Sequence, residues 1–296
     1  MSERGRSDAP IRPEAYTEEY FRTSVEGHEQ FVESGGRSVS PRLARALALA
    51  DPRPGQRVLD IACGRGEVVL QSALRGADAL GIDYAAAALS VARAALDGAT
   101  ARGRFALARM DATRLALAPA SFDAALMLDF VEHVYQADLE AAFREVQRAL
   151  KPGGRLIIHT SPNRVFEEVV YRRYVRNVHR VVLGAARIAR LEGGRFFNRI
   201  VLPTEPLPPH DEYERTLHVN AQSAATLRVA LRRAGFRIQR IDFWEPPRGP
   251  FFPPELRWHR LGLRTLDAVR FLRPASLLPP LDRLFSNHIW VVAVRP

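Results

Sequence analysis

Three aspartates follow apolar stretches that are typical of β-strands, and their types and spacing could build one ligand site. Asp60 ends the stretch VLD, Asp83 ends GID and Asp111 ends RMD. In a parallel sheet the carboxyl ends of the strands meet at one edge, where ligands bind. A carboxylate there can accept hydrogen bonds from ribose hydroxyls, from an adenine amino group or from a cationic amine. The three acids therefore indicate an adenosine ligand that carries a positively charged amino acid and no phosphate.

The turn after the first of these strands is built from small residues, in the stretch VLDIACGRGEVV at 58–69. Gly64 and Gly66 let the backbone approach a ligand, and the start of a helix behind them favours anionic groups. A dinucleotide fingerprint needs a third small residue three positions after the second glycine, where Val69 stands. An enzyme that binds NAD or a nucleotide sugar is thus an alternative, but this sequence lacks the third small residue that such an enzyme requires.

The elements that must position these residues alternate along the chain. Strands are predicted at 57–61, 78–82, 104–109, 122–128 and 153–160, and a helical pattern separates most neighbouring pairs. Such alternation predicts βαβ units with right-handed crossovers and a parallel sheet. A helix at 221–235 and strands at 236–244 and 288–295 follow a long interruption.

Four stretches, in order and spacing, resemble class I S-adenosylmethionine-dependent methyltransferases, including the ubiquinone-biosynthesis O-methyltransferase group. They are VLDIACGRGE, GIDYAAAALSVAR, RMDATRLALAPASFDAALMLDFVEHV and FREVQRALKPGGRLIIHTSPN. The resemblance covers 40–162 closely and 215–243 more loosely. It implies an α/β fold with a seven-stranded Rossmann-like sheet, flanked by helices, in which the last strand is antiparallel, and S-adenosylmethionine as the cofactor.

The resemblance also implies contacts to each part of the cofactor. The methionine end would be lined by Asp60, Ala62, Gly64 and Gly66, and Asp129 would lie beside the sulfonium. The ribose, the adenine face and the adenine edge would be bound by Asp83, Tyr84, Asp111 and Ala112. Relatives more often have glycine at the position of Ala62, and a methyl group is tolerated there if φ is negative.

The acceptor end is expected in the segment LDFVEHV, which follows the predicted fourth strand. Methyl transfer is a displacement on carbon, so a base is needed only when the acceptor still holds its proton. We predict His133 as the general base, because an ordinary imidazole pKa suits neutral pH, with Glu132 beside it. One alternative is that Glu132 and His133 have no catalytic role and only pack at the start of a helix. A divalent metal on Asp129, Glu132 and His133, completed by His210 or His218, is another that we do not favour.

The predicted domain organisation places additions around one core. The segments are an N-terminal helical arm (1–39), the core (40–162), an insertion (163–214), the core continued (215–245), a second insertion (246–286) and a final core strand (287–296). In the arm, Tyr16, Tyr20 and Phe21 are either core residues or a lid over the cofactor. Basic amphipathic patterns at 164–200 and 251–272 suit peripheral contact with an anionic membrane, or a lid around a soluble acceptor, which we favour.

Composition limits the class of protein. The chain has 296 residues, of which 47% are apolar, and its only cysteine is Cys63, so neither an internal disulfide nor a multi-cysteine zinc site is expected. The net charge of +10 comes almost entirely from arginine, a habit spread over the whole chain, so we do not expect a dedicated nucleic-acid surface. There is no uncharged apolar run of about 18 residues and no signal-peptide pattern. We expect a cytoplasmic protein, with the inner face of the membrane as an alternative location.

These observations predict methyl transfer from S-adenosylmethionine to an oxygen of a small or lipid-linked acceptor, such as a quinone, a sugar or a secondary metabolite. The alternatives are N- or C-methylation of a small metabolite, 2′-O-methylation of RNA, and a methyltransferase-like scaffold without catalysis.

Overall fold

The computed structural model describes residues 11–169, 216–244 and 286–296. They belong to two compact units, of which the larger contains the described residues 11–161, 217–242 and 289–296. The fold and the candidate site below lie in this larger unit. His210 and most of the two predicted insertions lie outside the described residues, as does most of the expected membrane contact. Among the helices that are described, none has the length and hydropathy needed to cross a bilayer.

In the described part of the chain seven strands form one sheet, in the order β3-β2-β1-β4-β5-β7-β6. Strands β1 to β5 are parallel, and β7 runs antiparallel between β5 and β6. The strands are β1 Arg57–Ile61, β2 Asp78–Asp83, β3 Phe105–Arg109, β4 Phe122–Leu128, β5 Leu150–Thr160, β6 Arg237–Asp242 and β7 Ile289–Val294. The predicted Rossmann-like fold class is confirmed.

Helices cover both faces of the sheet, as βαβ crossovers require. The described α-helices are α1 Glu18–Thr23, α2 His28–Ser34, α3 Pro41–Ala50, α4 Glu67–Leu74, α5 Ala86–Leu96, α6 Gln136–Ala149 and α7 Ala224–Arg233. Helix α3 begins as its sequence predicts, because Ser40 accepts a hydrogen bond from the Leu43 amide and Pro41 occupies the first helical position. Its buried face packs on β4 and β5.

The N-terminal arm packs against α5, the helix that follows β2. Tyr16, Phe21 and Phe31 are buried together with Ala88 of α5 and Leu217. The arm begins with a 3₁₀ turn, Pro13–Ala15, and continues as two short helices. The break between them falls at Gly27, whose φ of 80° favours glycine. Tyr16 and Phe21 are therefore core residues, whatever they also contribute to the site.

The sheet order reverses at β1, which has β2 on one side and β4 on the other. Open α/β sheets bind ligands at this switch point, outside the carboxyl ends of the strands. Asp60 pairs with Gly81 of β2 and with Leu126 of β4. Asp83 pairs with Arg109 of β3, and Asp129 directly follows β4. The predicted strand-end acids thus lie along one edge of the sheet.

Candidate cofactor and acceptor site

The turn between β1 and α4 approaches its neighbours closely. Gly64 and Gly66 have φ values of 49° and 78°, in the left-handed region. A β-carbon on Gly66 would lie 3.1 Å from the Cβ of Ala92 in α5. The turn is closed by a hydrogen bond of 2.8 Å from the Gly66 amide to the Cys63 carbonyl. Both glycines are therefore required by conformation, and Gly66 by space as well.

The backbone conformation of Ala62 differs from the one expected from the sequence. Its φ is 56°, so the negative φ under which its methyl group would be tolerated is not what the structure has. A left-handed conformation costs an ordinary L-residue about 1–2 kcal/mol. The relatives' glycine would relieve this strain, which alanine retains.

Replacing Ala62 with glycine is expected to raise the free energy of unfolding by about 0.5–1 kcal/mol, because the relieved strain exceeds the entropy that glycine adds to the unfolded chain, about 0.4–1 kcal/mol. Chemical denaturation measures the change. The control is Ala106→Gly on the exposed side of β3, which should lose about 0.5–1 kcal/mol. Equal losses in both variants would show that Ala62 is not strained.

Asp83 joins the end of β2 to the glycine turn. It is only 5% exposed. Its carboxylate accepts hydrogen bonds from the Gly64 amide at 3.1 Å and the Ala85 amide at 2.9 Å. Burial raises its pKa, while these amides oppose the rise. The carboxylate that orders the turn is therefore that of Asp83.

Asp60 is buried at the end of β1 close to two other acids. Its pKa is raised well above the ordinary value, first by burial and then by the charges of Asp83 and Glu67. A buried carboxyl group with acidic neighbours is stabilised by an incoming cation. The position suits the ammonium group of an amino-acid ligand.

The remaining predicted cofactor contacts lie after β2 and β3. Asp111 is exposed, and one of its oxygens accepts from the amide and hydroxyl of Thr113, both at 2.8 Å. This is a local turn that needs no ligand. Ala112 is buried, and Tyr84 donates a hydrogen bond to the Ile11 carbonyl at 3.3 Å. Asp111 and Ala112 thus lie beyond the end of β3, as predicted, while Tyr84 also contacts the N-terminal arm.

An ion pair that sequence reasoning missed lies at the end of β4, between the buried Arg42 and the partly exposed Asp129. Nη1 of Arg42 is 2.6 Å from Oδ2 of Asp129, and Nε donates to Glu26 at 2.9 Å. Arg42 is 3% exposed; burial opposes its charge, but Asp129 and Glu26 outweigh burial and raise its pKa. The other oxygen of Asp129 is bound to His159 Nδ1. The available signal was an arginine on the otherwise apolar face of α3.

Glu132 and His133 occupy the predicted acceptor end. Glu132 is 1% exposed and accepts from the Thr160 hydroxyl at 3.0 Å. Burial, then the charge of Asp129, raises its pKa well above the ordinary value. His133 is hydrogen-bonded through Nδ1 to the Tyr16 hydroxyl at 3.1 Å.

The pKa of His133 is lowered to about 4, chiefly because burial disfavours the imidazolium, although Asp129 opposes the shift. The expectation of an ordinary imidazole pKa is therefore wrong. His133 is neutral at pH 7, so it can accept a proton but is a weak base.

The metal alternative involves a different set of donors from the predicted one. Within the described residues, Glu132, His133 and His218 each have a ligand atom within 4.8 Å of the others. Asp129 is not in this set, and its carboxylate is bound to Arg42 and His159. The candidate metal-ligand atoms of Glu132 and His133 already form hydrogen bonds with other side chains. We therefore keep a metal as the less favoured alternative.

Comparison with known proteins identifies the domain. Residues 59–158 match the family model described as methyltransferase domain. The ubiquinone biosynthesis O-methyltransferase of Paraburkholderia phymatum is 33% identical over 155 residues, 51% of this chain and 60% of that protein. The demethylmenaquinone methyltransferase of Thermus thermophilus is 34% identical over 138 residues, 45% of this chain and 61% of that protein. The chain thus spans about six tenths of the length of these relatives.

A solved structure shows the same fold. The S-adenosylmethionine-dependent methyltransferase from Mesorhizobium loti aligns with a TM-score of 0.52 and 23% identity, over 86% of this chain and 98% of that chain. The sheet order, the glycine turn and the strand-end acids define the class I S-adenosylmethionine-dependent methyltransferase fold. Residues 59–158 are a methyltransferase domain, which confirms the family resemblance.

Proposed function

We propose that this protein transfers the methyl group of S-adenosylmethionine to an oxygen of a small or lipid-linked acceptor, such as a quinone, a sugar or a secondary metabolite. The observation that carries the proposal is the pair of buried carboxyl groups, Asp60 and Asp83, at neighbouring strand ends beside the glycine turn. Two buried carboxyl groups disfavour a ligand with a negatively charged phosphate, and they favour a nucleoside that carries a positive charge.

The cofactor residues follow from the charges of the ligand. We assign Asp83 to the ribose hydroxyls and Asp60 to the methionyl ammonium group, with Ala62, Gly64 and Gly66 as the backbone beside it. The methionyl carboxylate needs a cation, and Arg42 supplies a buried guanidinium next to Asp129. Tyr84, Asp111 and Ala112 stay assigned to the adenine, and Asp129 to the sulfonium.

When bound, the cofactor supplies a methyl group on a positively charged sulfur, so the protein mainly aligns the acceptor and manages its proton. We propose that the acceptor hydroxyl takes the place of the Tyr16 hydroxyl on Nδ1 of His133. A base with a pKa of about 4 removes the proton only as methylation makes the oxygen acidic. Glu132, fixed by Thr160, positions the loop that carries His133.

One observation favours a second candidate, N- or C-methylation. Nδ1 of His133, Oε2 of Glu132 and the carboxylate of Asp129 are all hydrogen-bonded within the protein. An acceptor that attacks without prior loss of a proton would need none of them. The name of the Thermus thermophilus relative, a demethylmenaquinone methyltransferase, also allows an acceptor other than oxygen.

The test is calorimetric titration with S-adenosylhomocysteine and with NAD, followed by transfer of a labelled methyl group to panels of phenols, sugars, amines and a structured RNA. We expect binding of S-adenosylhomocysteine but not NAD, and label on a hydroxyl acceptor. Label on nitrogen or carbon supports the second candidate, and label on RNA or on none of the panel contradicts both. Co-sedimentation with anionic vesicles tests the alternative that 164–200 and 251–272 contact the inner membrane face.

A further inference from the structure

Arg65, between the two glycines of the cofactor turn, faces the N-terminal segment 11–36, here called the cap. Its guanidinium donates three hydrogen bonds to backbone carbonyls of the cap. Nη1 is 3.3 Å from the Phe21 carbonyl and 3.2 Å from that of Val25, and Nη2 is 2.8 Å from that of Glu26. The last carbonyls of a helix lack intrahelical partners, and α1 ends within this stretch. A guanidinium, with five donors in a fixed plane, satisfies several of them at once.

The remaining donors of Arg65 bind the start of α4. Nε lies 2.9 Å and Nη2 lies 2.8 Å from the same carboxylate oxygen of Glu67, the first residue of that helix. The guanidinium also lies over the ring of Phe31 in the cap, 4.9 Å from its centroid. Arg65 is 3% exposed. One buried side chain therefore connects the cofactor turn, the helix behind it and two parts of the cap.

The cap also contacts the site directly. A β-carbon built on Gly64 would lie 3.5 Å from the ring of Phe21, so this ring covers the turn. At the acceptor end the Tyr16 hydroxyl reaches His133, and on the adenine side the Ile11 carbonyl accepts from Tyr84. The cap therefore touches residues assigned to the methionine, acceptor and adenine parts of the site.

We propose that Arg65 is a positioning residue that fastens the cap over the cofactor turn and so retains the bound cofactor. The inference rests on the proposed function of that turn. Opening the cap requires three carbonyls and the buried Glu67 carboxylate to lose their partner, which slows opening. Arg65 then sets both the affinity for the cofactor and its rate of release without touching the reacting atoms.

The test compares full-length wild type with Arg65→Gln and with the surface control Arg104→Gln, whose side chain is 90% exposed. Hydrogen exchange reports on the cap amides, including that of Ser24, which is bonded to the Tyr20 carbonyl. Calorimetry and stopped-flow measure the affinity and release of S-adenosylhomocysteine. For Arg65→Gln we expect the exchange rate of the cap amides to rise about tenfold. The dissociation constant and the release rate of S-adenosylhomocysteine should also rise about tenfold, because a change of this size corresponds to the loss of one or two net hydrogen bonds. Arg104→Gln should match wild type.

Each other outcome overturns the inference. A lower melting temperature with unchanged affinity and release would show a purely structural role, and unchanged cap exchange would show that Arg65 is not the fastening. If Arg65→Gln does not fold, Arg65→Lys is measured by the same criteria, because lysine keeps the charge beside Glu67 but cannot span three carbonyls. Wild type that fails to bind S-adenosylhomocysteine refutes the proposed function as well, whereas wild-type binding with unaffected variants refutes the role of Arg65 alone.

Discussion

Asp83→Ala is expected to weaken binding of S-adenosylhomocysteine about 100-fold or more. In the proposed site the buried carboxylate accepts from the ribose hydroxyls, and a hydrogen bond to a charged group contributes about 1.5–3 kcal/mol, where 1.4 kcal/mol is a factor of ten. The substitution also leaves the Gly64 and Ala85 amides without the acceptor that orders the turn. Both effects act on the cofactor and neither needs the acceptor, so calorimetric titration of the apoprotein measures them.

The matched control is Asp78→Ala at the other end of β2, where the aspartate pairs with the exposed Arg104. It should leave the affinity unchanged. Asp83→Asn separates loss of the charge from loss of order in the turn, because the asparagine side chain is neutral but its oxygen can still accept hydrogen bonds from the turn amides. Affinity of Asp83→Ala within about threefold of wild type, with a normal thermal melt, would remove the ribose assignment and the cofactor site built around it.

His133→Asn is expected to lower kcat about 100-fold or more while the affinity for S-adenosylhomocysteine stays within about twofold, because general-base catalysis contributes about 10²–10⁴-fold. His218→Asn separates a base from a metal ligand, since the two rings are 4.8 Å apart. If His133 acts as a base, kcat should fall in His133→Asn but not in His218→Asn. A metal site predicts comparable loss in both variants, with inhibition by a chelator.

The pH profile of the wild type tests the same residue without a substitution. The active form of His133 is neutral, and its pKa is lowered to about 4. The fraction of active enzyme is therefore complete at neutral pH and falls as the pH falls through about 4, so kcat/KM should be level between about pH 6 and 8. A profile that already falls near the ordinary imidazole value, about 6.5, would show that His133 is solvated in the working enzyme.

Much of the fold follows from short stretches of sequence. Strand β4 was predicted at 122–128 and is found at Phe122–Leu128, and α3 begins at the predicted cap, Ser40. These features depend on apolar runs and on capping groups a few residues away. Strand β5 is longer than the predicted 153–160, because Leu150 pairs with Phe122 before an irregularity in the register. A local pattern does not contain that pairing.

Contacts between distant residues could not be predicted in the same way. Arg42 and Asp129 are brought together when α3 packs on β4 and β5. Arg65 meets the carbonyls of the cap only when the cap docks on the glycine turn. In sequence each arginine is typical of a solvated surface, in a chain that uses arginine throughout. Burial is a property of the assembled neighbours, and it decides whether such a charge is solvated or paired.

The sequence by itself indicated the class of protein, through a family resemblance carried by the glycine turn and by the acids that follow predicted strands. Tertiary structure alone decided the φ of Ala62 and the lowered pKa of His133. The first depends on how the turn closes on its neighbours and the second on which groups exclude water from the imidazole. Both are set by packing between segments far apart in the chain, and hydrophobic periodicity does not record such packing.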